Sequence, residues 1–571
     1  MPKQTLSDVS VSDAYLALLA DRGIDYWFAN AGTDFAPLLE AYAKAQTLGT
    51  KVPTPITCPH ENTAVHMAIG YYLVTGRPQA VMVHVNVGTA NGLNGILNAS
   101  RGNIPMLFTA GRTPTNEDTL HGHRSLDIHW TQEMFDQSGM VREAVKWDYE
   151  LRNGAQLETV VDRALTISMS EPRGPSYLAL PREVLGEQME SFTYDSPTRH
   201  QPAAPHSPNR QAVDETAALL AGAENPMIIT SWAGRDPGAW HALSDLAERH
   251  CIPVVQYRNR YSSIASNHPM HMGYDPAALM EIADVILVID CAAPWLPAVH
   301  KPRADAKIIH MAADSMHGYV PIRGHECDIA LSCGTTEGLQ VLDEALTAHA
   351  STAKSRIDAR RGKLAERHAK LREGWAATLE RVKNDSPMHL AWVSHCLSQV
   401  KDDDTVVIRE SSMMQQFFDV SQPATCFNAG AASGLGWGMG AALGAKLATP
   451  DKLVIGTEGD GAYMFSNPVS AHYVAAEQDL PILTVVFNNG IWNAVRRSTV
   501  GLTPDGYAAR SNRPPATMLD GITNYEKIME MVDGYGEKVT DPDDLIPALE
   551  RGIKAVMVDR RQAVINVICS P

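Results

Sequence analysis

Positive charge is scarce in this sequence. Its 571 residues hold 48 Lys and Arg against 65 Asp and Glu, a formal net charge of −17. A polyanion is a poor main partner for such a chain, because nucleic-acid binding needs a basic stripe that displaces phosphate counterions. Cysteine is sparse too: Cys58, Cys251, Cys291, Cys327, Cys333, Cys396, Cys426 and Cys569. No two stand in C-x-x-C spacing, which excludes a zinc ribbon or a thioredoxin motif, and so few in so long a chain make no disulfide scaffold. Aromatic residues are only 6%. No apolar run reaches the roughly 18 residues that span a bilayer. The opening MPKQTLSDVSVSDAYLALL lacks a basic segment followed by an apolar one, so no secretory signal is expected and a reducing, cytoplasmic setting is.

What is present is alternation. Residues 1–190 carry short apolar runs (IDYWFA, TPITC, QAVMVHV, PMLFTA, PSYLAL) separated by helical patterns, the first of which stops at Gly23. Short buried strands between helices predict parallel βαβ units. Residues 191–210, SFTYDSPTRHQPAAPHSPNR, read as a linker. A second α/β block follows over 211–350, with strands at PMIIT, IPVVQY, DVILVI and AKIIHM. Residues 351–386 are charged and helically spaced, which predicts a solvated connecting helix. A third block, 387–571, has strands at DTVVIR, KLVIG, ILTVVF and AVINVI. The expected fold class is therefore α/β, with three doubly wound parallel-sheet domains.

In the third block one buried strand runs into Gly459-Asp460-Gly461, and a second, 26 residues later, into Asn488-Asn489. That gap fits one strand–helix–strand crossover. Both clusters then emerge at carboxyl ends of neighbouring parallel strands, where open α/β sheets bind ligands. A carboxylate, an amide oxygen and a nearby main-chain carbonyl are hard donors suited to Mg²⁺, leaving room for phosphate oxygens and water. Glycines beside Asp460 allow close approach of a phosphate.

GDG followed by NN at this distance resembles the signature of thiamine diphosphate-dependent enzymes. The resemblance implies that Asp460, the side chain of Asn489 and the carbonyl of Ile491 hold Mg²⁺, which anchors the diphosphate of thiamine diphosphate. Relatives often have Ser or Thr after GDG, where this chain has Ala462; Ser412, in RESSMM, is the compensating donor expected. Glu61, in CPHENTAVH, matches the glutamate that meets the aminopyrimidine across a subunit interface and favours its imino tautomer. The zinc reading of this segment fails, because HExxH needs a histidine where Ala64 stands. In NAGAASGLGWGMGAALG the resemblance makes Leu435 the wedge beneath a bent cofactor and the Ser433 carbonyl an acceptor for its amino group. A dinucleotide fingerprint, Gly436-x-Gly438-x-x-Ala441, also fits the letters, but CFNAGAAS before it does not read as an apolar strand.

Within the family the motifs are most similar to benzoylformate decarboxylase, which places a catalytic histidine at the position of His84. His84 is then a proton relay, and Thr33 stands where a substrate-contacting serine is found. His121, His123 and His300 are weaker substrate candidates. The implied activity is decarboxylation of a 2-oxo acid, with carboligation to an aldehyde. An acetolactate-synthase-like transferase and a 2-hydroxyacyl-CoA lyase or oxalyl-CoA decarboxylase are the alternatives. The implied assembly is a homodimer at least and a homotetramer by family habit, with small-molecule substrates and neither nucleic acid nor membrane as partner.

Overall fold

The computed structural model describes residues 2–428 and 432–571. Its architecture is the expected one: three parallel sheets, each flanked by helices. The first sheet runs, in spatial order, Thr54–Thr57, Tyr26–Ala29, Ala80–Val83, Leu107–Arg112, Ser176–Pro181, Trp147–Glu150. The third runs Cys426–Asn428, Val406–Glu410, Val454–Gly459, Leu483–Asn488, Ala563–Ile568, Tyr535–Val539. Numbered within their own domains, both have the order 2-1-3-4-6-5. The middle sheet, of five strands, has the order 2-1-3-4-5.

Central strands such as Ala80–Val83 and Leu483–Asn488 are buried along their whole length, which is why they read as unbroken apolar runs. In all three sheets the order reverses between the first and third strands. A crevice opens there, beyond their carboxyl ends. Those ends are Ala29 and Val83 in the first domain, Thr230 and Ile289 in the middle one, and Glu410 and Gly459 in the third.

The first and third domains meet through helices Glu61–Thr75 and Gly438–Ala448, and one buried apolar cluster spans both. The crossing is backbone-close. A Cβ on Gly70 would lie 1.9 Å from the Ala441 oxygen, and one on Gly444 2.0 Å from that of Met67. Only glycine allows helices to approach so far.

Three local expectations change. Residues 191–195 belong to strand Gln188–Asp195, which pairs antiparallel with Lys3–Ser10 and buries Phe192 and Tyr194. The charged stretch forms helix Ala350–Val382, largely solvated, but Arg360 is buried. Its guanidinium donates to the Ala223 oxygen at 2.8 Å and the His250 oxygen at 2.9 Å, closing two helix C-termini whose dipoles favour a cation. Finally, a strand does precede the glycine-rich segment, at Cys426–Asn428. It is a three-residue sheet edge, and the following helix starts only at Gly438, so the tight strand–turn–helix of a dinucleotide site is still missing. Among the described residues, no helix is long and apolar enough to cross a membrane.

Candidate active site

The third domain brings its two polar clusters together. Asp460 begins a short helix directly after strand Val454–Gly459 and is 3% exposed. Its Oδ1 accepts from the Gly461 amide at 2.8 Å and its Oδ2 from the Gly490 amide at 2.6 Å; Asn489 Oδ1 accepts from the Ile491 amide at 3.1 Å. Burial raises the Asp460 carboxyl above its usual range, against the pull of these N–H donors. Among the described residues no basic side chain pairs with it. A buried carboxylate without a basic partner, tied to a turn that supplies amide and carbonyl oxygens, fits a hard divalent cation such as Mg²⁺. Among the described residues no group of three His, Cys, Asp or Glu could hold a metal, so these mixed oxygen donors are the metal candidates. Gly461 makes room for Trp492, whose ring a Cβ would meet at 2.2 Å, whereas Gly459 faces open space. Ala462 is buried, and Ser412 is exposed just past strand Val406–Glu410.

The segment 433–438 is clamped from both domains. Asn98 accepts from the Gly434 amide at 2.9 Å and donates to its oxygen at 2.8 Å. Asn94 donates to the Leu435 oxygen at 2.9 Å and Asn62 to the Gly436 oxygen at 2.8 Å. Glu410 accepts from the Gly436 and Gly438 amides, each at 2.7 Å. Ser433 and Gly436 take left-handed φ values of 52° and 84°. So held, Leu435 keeps 37% of its surface exposed, although it is a large apolar residue. Beneath lies Glu458, fully buried and paired in register with Glu410 on the adjacent strand. Burial pushes Glu410 up to about 8 against the pull of the Gly438 and Gly436 amides and of its contact with Glu458, while burial and the charge of Glu410 push Glu458 well above its ordinary value, so the pair holds a proton.

Sequence reasoning missed Asn62, Asn94, Asn98, Glu410 and Glu458. The signals were present: Asn94 and Asn98 are four residues apart on one helix face, and the glutamates stand at the carboxyl ends of neighbouring inner strands, Glu410 last in its strand and Glu458 next to last in its own.

In the first domain Glu61 opens helix Glu61–Thr75, is 6% exposed, and accepts from Asn91 at 3.3 Å. His84 follows strand Ala80–Val83, and its Nδ1 lies 2.5 Å from Oδ1 of Asp34. Asp34 comes from the turn Thr33–Phe35 after the neighbouring strand, so the pair occupies the crevice at the first domain's order reversal. Asp34, and more weakly Glu61, raise His84 above the ordinary histidine value in spite of burial. Thr33 is exposed on the same turn. His121 is exposed beside Gly186, and His123 bonds the Leu120 oxygen. The loop histidine that feels Asp34 and His84 is His129, which is buried, with its value lowered mainly by that burial. His300 stays in the middle domain, against Tyr257 and Asp275.

Three family models match the chain. These are "Thiamine pyrophosphate enzyme, N-terminal TPP binding domain" over residues 9–140, "central domain" over 213–334, and "C-terminal TPP binding domain" over 410–567. A probable acetolactate synthase of Mycobacterium bovis is 25% identical, covering 97% of this chain and 94% of its own. A 2-hydroxyacyl-CoA lyase of Arabidopsis thaliana is 24% identical, with coverages of 97% and 94%. A benzoylformate decarboxylase of Pseudomonas aeruginosa is 24% identical, with coverages of 85% and 87%. Among solved structures, benzoylformate decarboxylase from Polynucleobacter necessarius superposes with a TM-score of 0.78 over 98% of both chains, at 19% identity.

Proposed function

The chain belongs to the thiamine pyrophosphate enzyme family, and from that premise we propose that it decarboxylates 2-oxo acids and can pass the resulting acyl unit to an aldehyde. The observation that carries this reading is His84, set at the first domain's crevice by a buried carboxylate and sensing the charge of Glu61. Acyl transfer alone would not require a proton donor there; releasing an aldehyde after CO₂ loss does.

When bound, thiamine diphosphate supplies a nucleophilic carbon and an electron sink for the departing CO₂. Asp460, Asn489 and the Ile491 carbonyl are the groups that would hold Mg²⁺ and, through it, the diphosphate, with Ser412 as a hydroxyl donor. Leu435 and the Ser433 carbonyl would support the pyrimidine and thiazolium rings. Glu61 holds a proton at a ring nitrogen, and His84 gives a proton to the product carbon. We further propose an assembly of at least two chains, and of four by family habit, acting on free small molecules in the cytoplasm.

The deciding experiment supplies thiamine diphosphate and Mg²⁺ and screens 2-oxo acids for CO₂ release, with and without an aldehyde. Aldehyde or 2-hydroxy ketone as product supports the reading. Acetolactate from pyruvate as sole product, or turnover confined to CoA thioesters, overturns it.

A further inference from the structure

We propose that Asp34 is a positioning residue for His84: it binds Nδ1–H, so that Nε2 alone exchanges the reaction's proton. This rests on the decarboxylase reading for its purpose, though not for its geometry.

The pair is built in from several sides. Asp34 is 3% exposed and reaches His84 Nδ1 with one oxygen, while the other accepts from the Val85 amide at 3.3 Å. Val85 has φ 31°, a left-handed value that a β-branched residue adopts only when its surroundings impose it. One carboxylate thus fixes both the imidazole and the bent backbone beside it. Two glycines make the space. A Cβ on Gly32 would lie 2.1 Å from His84 Nδ1, and one on Gly111 1.6 Å from Asp34 Oδ2.

On the far side, Nε2 of His84 is 3.3 Å from Nε2 of Gln132, and Gln132 Oε1 is buried with no partner among the described residues. The amide in this orientation donates to a bare Nε2. Turned by 180° it accepts from a protonated one. Both states of His84 can therefore be satisfied without moving the ring. Glu133, next in sequence, is gripped by Arg112 at 2.7 Å and Arg124 at 2.8 Å, which holds Gln132 in place.

The charged and titratable groups acting on His84 are Asp34 from its turn and Glu61 from its helix, both favouring the cation, with His129 from the loop opposing it. In the proposed step the Nε2–H bond breaks as a C–H bond forms at the carbon that has lost CO₂. The electron pair of the broken bond stays on Nε2, Nδ1–H stays with Asp34, and solvent water returns the proton before the next turnover. A carboxylate that fixes one nitrogen in this way also sets the tautomer of the other.

The test reads deuterium exchange at the imidazole C2 of each histidine by mass spectrometry, against pH, in the whole protein. Wild-type His84 should show a midpoint above the ordinary histidine value of about 6.5. In Asp34→Asn the His84 midpoint should fall by at least one pH unit. The kcat should drop roughly tenfold or more, its basic limb moving the same way, with KM and cofactor retention nearly unchanged. A His84 midpoint at or below the ordinary value of about 6.5 overturns the proposal even if the variant does not fold. An unmoved midpoint or unmoved limb in a folded Asp34→Asn does so as well. Exchange needs no turnover: a raised midpoint in a protein that releases no CO₂ would sink the decarboxylase reading and leave the Asp34–His84 lock standing.

Discussion

At the scale of single residues, the site was legible where a polar side chain interrupts an apolar run at a strand end. Asp460, Asn489 and His84 all have that signature. Asp34 lacks it. Thr33 and Asp34 are consecutive in a polar turn, and only the 3₁₀ twist of Thr33–Phe35 turns the second inward and the first out. Two substitutions test the residues that were legible. Glu61→Gln should keep the cofactor bound but lower turnover by about 10²-fold or more, since an amide cannot exchange the ring-nitrogen proton; unchanged hydrogen exchange at the thiazolium carbon would contradict this. Asp460→Ala should abolish Mg²⁺-dependent retention of thiamine diphosphate, measured by equilibrium dialysis with and without EDTA. Retention indifferent to metal would refute the donor set.

At the scale of elements, the parallel strands that sequence patterns did not reveal are Trp147–Glu150, Ile329–Ser332, Cys426–Asn428 and Tyr535–Val539, and every one lies at the edge of its sheet. An edge strand is covered on fewer sides, so its sequence is short or mixed, as in WDYE and YGEKV. Helices were clearer, and the first ends as expected before Gly23, at φ 80°. Invisible in the sequence was which helices cross. The contact of Glu61–Thr75 with Gly438–Ala448 depends on glycines that merely look like weak helix formers. Gly70→Ala should therefore destabilise rather than stabilise, by about 1–3 kcal/mol, through forced separation of the helices. Urea unfolding measures it, and a gain in stability would show that the crossing can relax.

For the whole molecule, burial of neutral histidines sets an acid limit. His472 is fully buried between the Tyr463 hydroxyl and Gln562, each at 2.7 Å, and burial lowers it to about 4; His66 is likewise lowered to about 4, and His271 and His310 to about 3. Below the ordinary value of 6.5 the unfolded chain takes up protons that the folded one refuses. Stability is therefore complete above 6.5 and is lost as pH falls from there towards 4. For His472 alone the loss is on the order of 3 kcal/mol. His472→Gln should flatten the decline of the unfolding free energy between pH 6.5 and 4, and an equally steep decline would assign it to other groups.

The antiparallel pairing of Lys3–Ser10 with Gln188–Asp195 has an architectural corollary. Lys3 lies opposite Asp195, and the Ser196 amide reaches the Pro2 oxygen at 3.3 Å, so the chain departs from this unit where it arrived. A brief splice between those two points would turn the unit into a closed ring, and new ends could be opened at an outlying loop with its inner strands undisturbed.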